Sequence, residues 1–428
     1  MSSVSSPRDL STRFVTRATV AALVLVLTTA VLPTWAQKRA DLTRLVVVGD
    51  SLSAGFQNGS LLDVQQPHGY ANLLAQQARK PLPLPLILPP GIPAVLQLIS
   101  PGPPPIVDSV QGQSPGRDDP RVQAFDLAVP GANVQDALTT RPKLPITNLT
   151  DLILGLPGLF QNISRSQVEW AENLRPTTIV VWLGNNDALG AVLAGDPAFL
   201  TPVKDFETAY ATVMDRLAAT GATLVVANIP DVTVVPFLVP AQEVAAELGL
   251  PLDVIGPILG IGPGDLVLID AFPLIQAILQ HAVSGPLPGN LVLTAAEAAQ
   301  VRAAVNAYNA IIASQAAAKG AVLVDIHGFF ATVQARGFVV GGQRLTTAFL
   351  GGVFSLDGVH PTNTGYAAVA NQFIAALDAA NAAGIPPLAV EPIAEADPLV
   401  FMGVGQPPSR LGRISPGTMK ALRDIIVH

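Results

Sequence analysis

The chain has 428 residues, a formal charge of −7 and no cysteine. Half of its residues are hydrophobic and only 13% are charged, so the composition predicts a folded protein with a large core. The lack of cysteine excludes disulfides, thiolate metal sites and a cysteine nucleophile, and the acidic charge argues against a nucleic-acid partner.

The first 36 residues have the pattern of an export signal. Arginines precede an apolar run over residues 18–32, and a small-residue cleavage site follows just before Gln37. The run is shorter than the roughly 20 residues that cross a bilayer, although an uncleaved signal anchor stays an alternative. We therefore expect a secreted, periplasmic or cell-envelope protein whose signal peptide (residues 1–36) is removed.

Short apolar runs that end at Gly, Pro or Asp predict the strands of a parallel sheet. They lack the alternation of a half-exposed strand, as expected for strands that are buried on both faces. The runs are 45–48, 125–129 (the weakest), 178–183, 223–228 and 321–324. Helices are predicted from a capping box at Thr294 and Glu297 through Ala318, and over residues 365–381. This alternation predicts a three-layer α/β/α sandwich with its functional residues at the carboxyl ends of the strands.

Three segments depart from this alternation. Residues 81–120 contain 12 prolines and are expected to form an irregular Pro-rich insertion. Residues 236–293 form a second, very apolar insertion, and residues 386–428 form a Pro-rich C-terminal tail with a short amphipathic segment near its end. We therefore expect one α/β domain over residues 40–385, interrupted by two insertions and followed by the tail.

Four short motifs follow predicted strands or close the α/β region. Ser51 in Gly-Asp-Ser-Leu follows the first strand, Gly131 the second and Asn186 the third, while Asp357 and His360 lie near the end. A three-residue spacing lets Asp357 and His360 share one face of a helical turn, where the carboxylate can orient a histidine that accepts the Ser51 proton. Backbone N–H groups and an Asn amide at strand ends can stabilise an oxyanion. Each motif alone is more often a cap or a turn, but their joint position favours a catalytic site.

Together these motifs resemble the GDSL esterase/lipase family, also called SGNH hydrolases, over roughly residues 42–385. The resemblance implies a flavodoxin-like sandwich with about five parallel strands and an esterase that acts through an acyl-enzyme. It also implies that Ser51 is the nucleophile, His360 the base and Asp357 its orienting carboxylate. By the same resemblance, the Ser51 N–H, Gly131 and Asn186 form the oxyanion hole.

Several hypotheses about the substrate stay open. The leading one is a secreted hydrolase of small-molecule or lipid esters; the alternatives are a carbohydrate-ester deacetylase and a non-catalytic envelope protein that binds through its insertions. If the insertion 236–293 lines the cleft, efficiency should rise from acetyl to medium-chain esters, and peripheral contact with a lipid surface becomes an option. If it only packs as extra helices, neither follows. No metal or nucleotide motif occurs, so we expect no cofactor and no effect of EDTA.

A second serine motif matches a nucleophile pattern but lies in the wrong structural context. Residues 112–116 match the G-x-S-x-G pattern of a nucleophile elbow, which needs a strand before it and a helix after it. Ser114 instead lies in the Pro-rich insertion, and Pro115 disfavours helical backbone at Ser114. We therefore expect Ser114 to be structural, and the histidines other than His360 to be structural or solvated.

Overall fold

The computed structural model describes residues 40–100, 105–381, 383–400, 413–414, 420 and 423. The predicted signal peptide and most of the C-terminal amphipathic segment lie outside these residues. The strands, in chain order, are β1 (Leu45–Gly49), β2 (Leu96–Ser100), β3 (Ile106–Ser109), β4 (Thr178–Trp182), β5 (Thr223–Ala227), β6 (Leu238–Pro240), β7 (Leu266–Leu268), β8 (Val292–Leu293), β9 (Val322–Val324), β10 (Phe338–Val340), β11 (Gln343–Leu345) and β12 (Arg413–Ile414).

Along the chain, α-helices alternate with the strands of the central sheet. In chain order they are α1 (Tyr70–Gln77), α2 (Val134–Thr139), α3 (Leu149–Leu154), α4 (Gln167–Asn173), α5 (Asn185–Ala194), α6 (Val203–Ala218), α7 (Ala241–Glu247), α8 (Leu252–Leu259), α9 (Phe272–Leu279), α10 (Ala295–Lys319), α11 (Ile326–Arg336), α12 (Asn363–Asn381) and α13 (Val390–Ala396). In the described part of the chain, no helix is both long and apolar enough to cross a bilayer.

The central sheet is parallel and has the order β1-β4-β5-β9. The weak fifth run lies beside β1, where the Val47 N–H donates to Phe125 O at 2.9 Å and the Leu127 N–H donates to Val47 O at 3.0 Å. It makes only one bridge, between Val47 and Asp126, because it is an edge segment that ends at Pro130. Counted as the second strand, it gives the flavodoxin-like order 2-1-3-4-5. The predicted α/β class is therefore confirmed, with four full strands and one edge segment.

Burial explains why the strand runs do not alternate. Every residue of β1 and β4 is buried, since helices cover both faces of the sheet. Helices α1, α11 and α12 pack together as one group, and α2, α4, α6 and α10 pack as another. The predicted capping box at the start of α10 is confirmed, because Thr294 and Glu297 each accept the other's backbone N–H.

The Pro-rich insertion contains more structure than its composition predicts. Strands β2 and β3 form an antiparallel hairpin inside it, and β12 pairs with β3. The expectation of a wholly irregular loop over residues 81–120 was therefore wrong. The run from Leu96 to Ser100 is free of proline, and its burial alternates as in a strand with one covered face.

The insertion 236–293 folds around a small core of its own. Strands β6, β7 and β8 form an antiparallel sheet beside α7, α8 and α9. Its core contains the buried side chains of Val239, Ala241, Val244, Ala245, Ile255, Leu259, Ile261, Val267, Ala271, Phe272, Ile275, Ile278, Leu287 and Val292. At its beginning, the Phe237 N–H donates to Gly358 O at 2.9 Å, so the insertion contacts the turn that holds Asp357 and His360.

Residues 386–400 of the predicted tail pack against the α/β domain. The Asn371 side chain exchanges hydrogen bonds with the Leu388 backbone, and Asp397 accepts from the Thr364 N–H and hydroxyl, each at 2.8 Å. Helix α13 packs on α12. The domain limits at residues 40–385 stay a prediction. Residues 386–400 pack directly against the α/β domain.

Candidate active site

Ser51 lies in the turn that directly follows β1. The carbonyl of Asp50 accepts the N–H groups of Ser53 and Ala54, which closes the turn. The Asp50 carboxylate accepts the Leu52 N–H at 3.0 Å and the Asn185 side-chain amide at 2.8 Å. The turn is therefore fastened to the beginning of α5, and Ser51 is held in place with only 3% of its surface exposed.

Ser51, His360 and Asp357 form one hydrogen-bonded chain. His360 Nε2 lies 2.8 Å from Ser51 Oγ, and His360 Nδ1 lies 3.0 Å from Asp357 Oδ2. When Nδ1–H donates to the carboxylate, the lone pair of Nε2 faces the serine hydroxyl. The Phe56 ring packs 4.7 Å from the imidazole, centroid to centroid, and limits its movement. The structure thus brings together the three residues that the sequence predicts.

The Asp357 carboxylate is buried and fully hydrogen-bonded. Its Oδ1 accepts the N–H groups of Val359 and His360, and its Oδ2 accepts the Gly59 N–H at 2.8 Å. Burial acts to raise the pKa of Asp357, but the neighbouring His360 and these hydrogen bonds outweigh it and lower the pKa. The carboxylate therefore stays ionised.

The segment that contains Asp357 and His360 is a turn and not part of a helix. The Ser355 N–H donates to His360 O at 2.7 Å and the Gly358 N–H donates to Ser355 O at 3.0 Å. The prediction that both side chains share a face of a helical turn was therefore wrong in its backbone conformation. The three-residue spacing still works, because the tight turn brings the two side chains to one side.

Of the predicted oxyanion donors, Ser51 and Asn186 line the same cavity, and Asn186 contacts the segment that contains Gly131. Among the described residues, the backbone N–H groups of Ser51 and Gly131 have no acceptor. Gly131 has φ 84°, which a residue with a Cβ rarely adopts. The Asn186 amide donates to Ala132 O at 2.9 Å, so it lies next to the segment that contains Gly131.

Two further residues support this site that the sequence analysis did not single out. Asp187 accepts the Val134 N–H at 3.0 Å and so fixes the start of α2 after the Gly131 segment. Asp50 supports the nucleophile turn. Burial raises the pKa of each carboxyl to about 6. Each aspartate is the direct neighbour of a predicted site residue, Asp50 of Ser51 and Asp187 of Asn186, and this adjacency was the signal available in the sequence.

A small apolar cavity adjoins Ser51, Asn186 and His360. Its volume is about 40 Å³. Its apolar wall consists of Leu52, Leu189, Val232, Val234, Val235, Phe330, Phe354 and Val359. None of its described lining residues belongs to the insertion 236–293. Residues of the insertion instead line a neighbouring cleft, and the medium-chain preference stays a prediction. A larger cavity of about 460 Å³ lies against Val129, Pro130 and Ala132, but neither Ser51 nor His360 lines it.

The other sequence candidates have structural contacts. The Ser114 hydroxyl donates to Leu88 O at 2.6 Å and accepts the Gly116 N–H, as in a turn. His327 Nδ1 lies 2.9 Å from Ile229 O and helps to hold the loop after β5. Across the described residues, no group of three or more histidine, aspartate or glutamate side chains could hold a metal ion.

Comparison with known proteins gives one family assignment. The family model described as GDSL-like Lipase/Acylhydrolase matches residues 45–373, which is 329 of the 428 residues. A comparison with curated protein sequences found no match.

Solved structures also match the chain over most of its length. An α/β hydrolase from the metagenome of Lake Arreo has 15% identity and a TM-score of 0.37, over 81% of this chain and 99% of that one. A variant of an acetyl-xylooligosaccharide esterase from Geobacillus has 10% identity and a TM-score of 0.37, over 79% and 96%. Phospholipase A1 from Streptomyces albidoflavus has 15% identity and a TM-score of 0.32, over 79% and 99%.

Proposed function

Because the chain belongs to the GDSL-like lipase/acylhydrolase family, we propose that it hydrolyses carboxylic esters through an acyl-enzyme on Ser51. The observation that carries this proposal is the buried chain from Ser51 Oγ through His360 to Asp357, with contacts of 2.8 and 3.0 Å. A serine hydroxyl is a weak nucleophile until a neighbouring base accepts its proton. Here His360 is the base: its Nε2 is in hydrogen-bond contact with the Ser51 hydroxyl, and its Nδ1 is held by the ionised Asp357 carboxylate.

The geometry supports a two-step reaction. Ser51 Oγ attacks the ester carbonyl carbon while its proton moves to His360 Nε2, and the π electrons of the carbonyl become an oxyanion. Collapse of this intermediate breaks the bond to the alcohol oxygen, which takes the proton from His360. Water then attacks the acyl carbon while its proton moves to His360 Nε2; the bond to Ser51 Oγ breaks, Oγ takes the proton back from His360, and the carboxylic acid leaves. Asp357 keeps the imidazole oriented and stabilises its charged form in both steps.

The proposed oxyanion hole consists of the Ser51 N–H, the Gly131 N–H and the Asn186 amide. Neither backbone group has an acceptor among the residues that the structure describes, so each can donate to the developing charge without breaking an existing bond. The Asn186 amide has two N–H bonds and uses one on Ala132 O. Such donors are most effective in a buried site, because water screens the charge less there.

The small cavity supports a short acyl group. The cavity beside Ser51 is small, with a volume of about 40 Å³, and an acetyl or similarly short acyl group suits it best. The same observation favours a second candidate function, in which the enzyme removes acetyl groups from a polar alcohol such as a carbohydrate.

Export is part of the proposal. The positively charged start, the apolar run over residues 18–32 and the cleavage pattern before Gln37 support a signal peptide. We therefore propose that the mature enzyme acts outside the cytoplasm, in the cell envelope or the medium.

Ester hydrolysis by matched serine variants tests the proposal. The wild-type protein should hydrolyse p-nitrophenyl acetate faster than the hexanoate, and Ser51→Ala should lose at least about 10³-fold in kcat. Ser114→Ala is the matched control and should keep full activity, because Ser114 belongs to the G-x-S-x-G match in the Pro-rich insertion and not to the catalytic site. Activity retained in Ser51→Ala would refute the nucleophile, and a maximum at hexanoate would refute the short acyl group.

A further inference from the structure

A second, more polar cleft lies beside the catalytic cavity. Its volume is about 650 Å³, and it shares Asp231 and Val234 with the lining of that cavity. Only Leu52, Pro230, Asp231 and Val234 of the cavity lining are partly exposed, while its remaining residues are buried. Two of the four residues at the opening of the cavity are therefore also walls of the cleft. The catalytic cavity and the cleft are therefore direct neighbours.

Two guanidinium groups line the cleft. Arg302 of α10 and Arg344 of β11 both contribute to its wall. In the described part of the chain, the Arg302 guanidinium donates only to the Thr233 hydroxyl, at 3.3 Å. Within the same residues, the Arg344 guanidinium makes neither a hydrogen bond nor an ion pair. We refer to this space as the arginine cleft.

Each of the two carboxylates that line the arginine cleft has at least one interaction of its own. Asp231 Oδ1 accepts both the N–H and the hydroxyl of Thr233, at 2.9 and 2.7 Å. Glu243 also has an interaction of its own. Two guanidinium groups and two carboxylates therefore line the cleft, and the Arg344 guanidinium is the charged group for which the described residues supply no partner.

We propose that the arginine cleft binds an anionic group, a phosphate or a carboxylate, on the part of the ester that extends beyond the catalytic cavity. A planar guanidinium can pair two of its N–H groups with two oxygens of such an anion. The proposal rests on the proposed esterase function, and it adds the class of substrate: a short acyl ester that carries negative charge on its polar portion.

Matched charged and neutral esters test the arginine cleft. The alcohol-side pair is 4-acetoxybenzoate and 4-acetoxybenzamide, and the acyl-side pair is phenyl hemisuccinate and phenyl butyrate. The variant is the double substitution Arg302→Gln with Arg344→Gln. The control is Arg336→Gln, which removes an exposed arginine of α11 that does not line the cleft.

The wild type should prefer the anionic member of one pair by about 10-fold in kcat/KM at low salt, mainly through KM. The double variant should lose most of this preference without a change in kcat on the neutral ester, and the control should keep it. Added salt should weaken the wild-type preference. A wild type without preference, or a preference that survives in the double variant, would overturn the inference.

Failure of the proposed function gives a different result. In that case the wild type hydrolyses neither the neutral nor the charged esters. Calorimetry with glycerol 3-phosphate then tests directly whether the arginine cleft binds an anion. Binding that the double variant loses and Arg336→Gln retains supports the anion site. Absent binding, or equal binding in all three proteins, refutes it.

Discussion

The surroundings of Ser51 and the insertion 236–293 are both buried, but they are built from opposite chemistry. Around Ser51 the buried residues include three carboxylates, a histidine and two asparagines. None of the buried polar residues in the described part of the chain lies in the insertion, where the core is wholly apolar. Burying charge costs free energy unless hydrogen bonds replace water, whereas burying apolar side chains stabilises directly.

Activity and stability therefore depend on different regions of the molecule. The groups around Ser51 depend on bonds from distant segments, such as the Gly59 N–H on Asp357 and the Asn185 amide on Asp50. The insertion depends on local packing and contacts the catalytic turn through the Phe237 N–H on Gly358 O. We therefore expect polar substitutions near Ser51 to change catalysis, and truncations in the insertion to change stability.

The largest expected effect is that of Asp357→Asn. The amide cannot hold His360 in the required tautomer, so kcat for p-nitrophenyl acetate should fall by about 10³–10⁴-fold. The matched control is Asp265→Asn in the insertion, where the carboxylate also accepts two backbone N–H groups, from Gly262 and Ala295. Equal losses in kcat for the two variants would remove the distinction between the regions.

A smaller loss is expected for Asn186→Ala. One oxyanion donor disappears, so kcat should fall by about 10²–10³-fold, while KM changes little. Asn371→Ala, which removes an amide that bonds the Leu388 backbone, serves as the control and should keep kcat. Unchanged kcat in Asn186→Ala would exclude that amide from the oxyanion hole.

The insertion should respond in the opposite way. Ile275 is fully buried in its core, so Ile275→Ala should lower the free energy of unfolding of this region by about 2–5 kcal/mol. Below the unfolding transition, kcat should stay within about twofold of wild type. Urea unfolding followed by fluorescence, with kcat measured in parallel, checks both parts. A large loss of kcat without loss of stability would mean that the insertion takes part in catalysis directly.

The smallest expected effect concerns pH and stability. Burial raises the pKa of Asp126 to about 8, above its ordinary value of 3.8. Between these values the folded chain keeps a proton that the unfolded chain releases, so the free energy of unfolding falls as the pH rises through this window. Asp126→Asn cannot titrate and should reduce the decrease between pH 6 and pH 8 by up to about 3 kcal/mol, since one pKa unit is about 1.4 kcal/mol. Identical urea midpoints of wild type and variant at both pH values would contradict this.

Local patterns explain what the sequence predicts well. The apolar run before Ser51 and the capping box of α10 each depend on residues close in the chain, and both occur as expected. The hairpin of β2 and β3 was missed because surrounding prolines dominate the composition. The turn at Asp357 was assigned the wrong backbone conformation, since a three-residue spacing suits several tight turns.

Long-range contacts explain what could not be predicted. Asp50 and Asn185 are 135 positions apart, and Gly59 and Asp357 are 298 positions apart. No local sequence pattern could therefore predict the hydrogen bonds between them. The size of the catalytic cavity depends on side chains from five separate segments. The apolar composition of the insertion led to the hypothesis that it lines the cleft, but the described lining of the cavity beside Ser51 comes from residues outside the insertion.

The buried position of Ser51 has a consequence for covalent inhibitors. A phosphonofluoridate has to place its reactive phosphorus beside Ser51 Oγ, within a space of about 40 Å³. Compact reagents should therefore inactivate the enzyme faster than reagents with long alkyl or aryl groups, even though the larger reagents are more apolar. The inactivation rates of a series of such reagents of increasing size would therefore measure the space between Ser51 and the surrounding side chains.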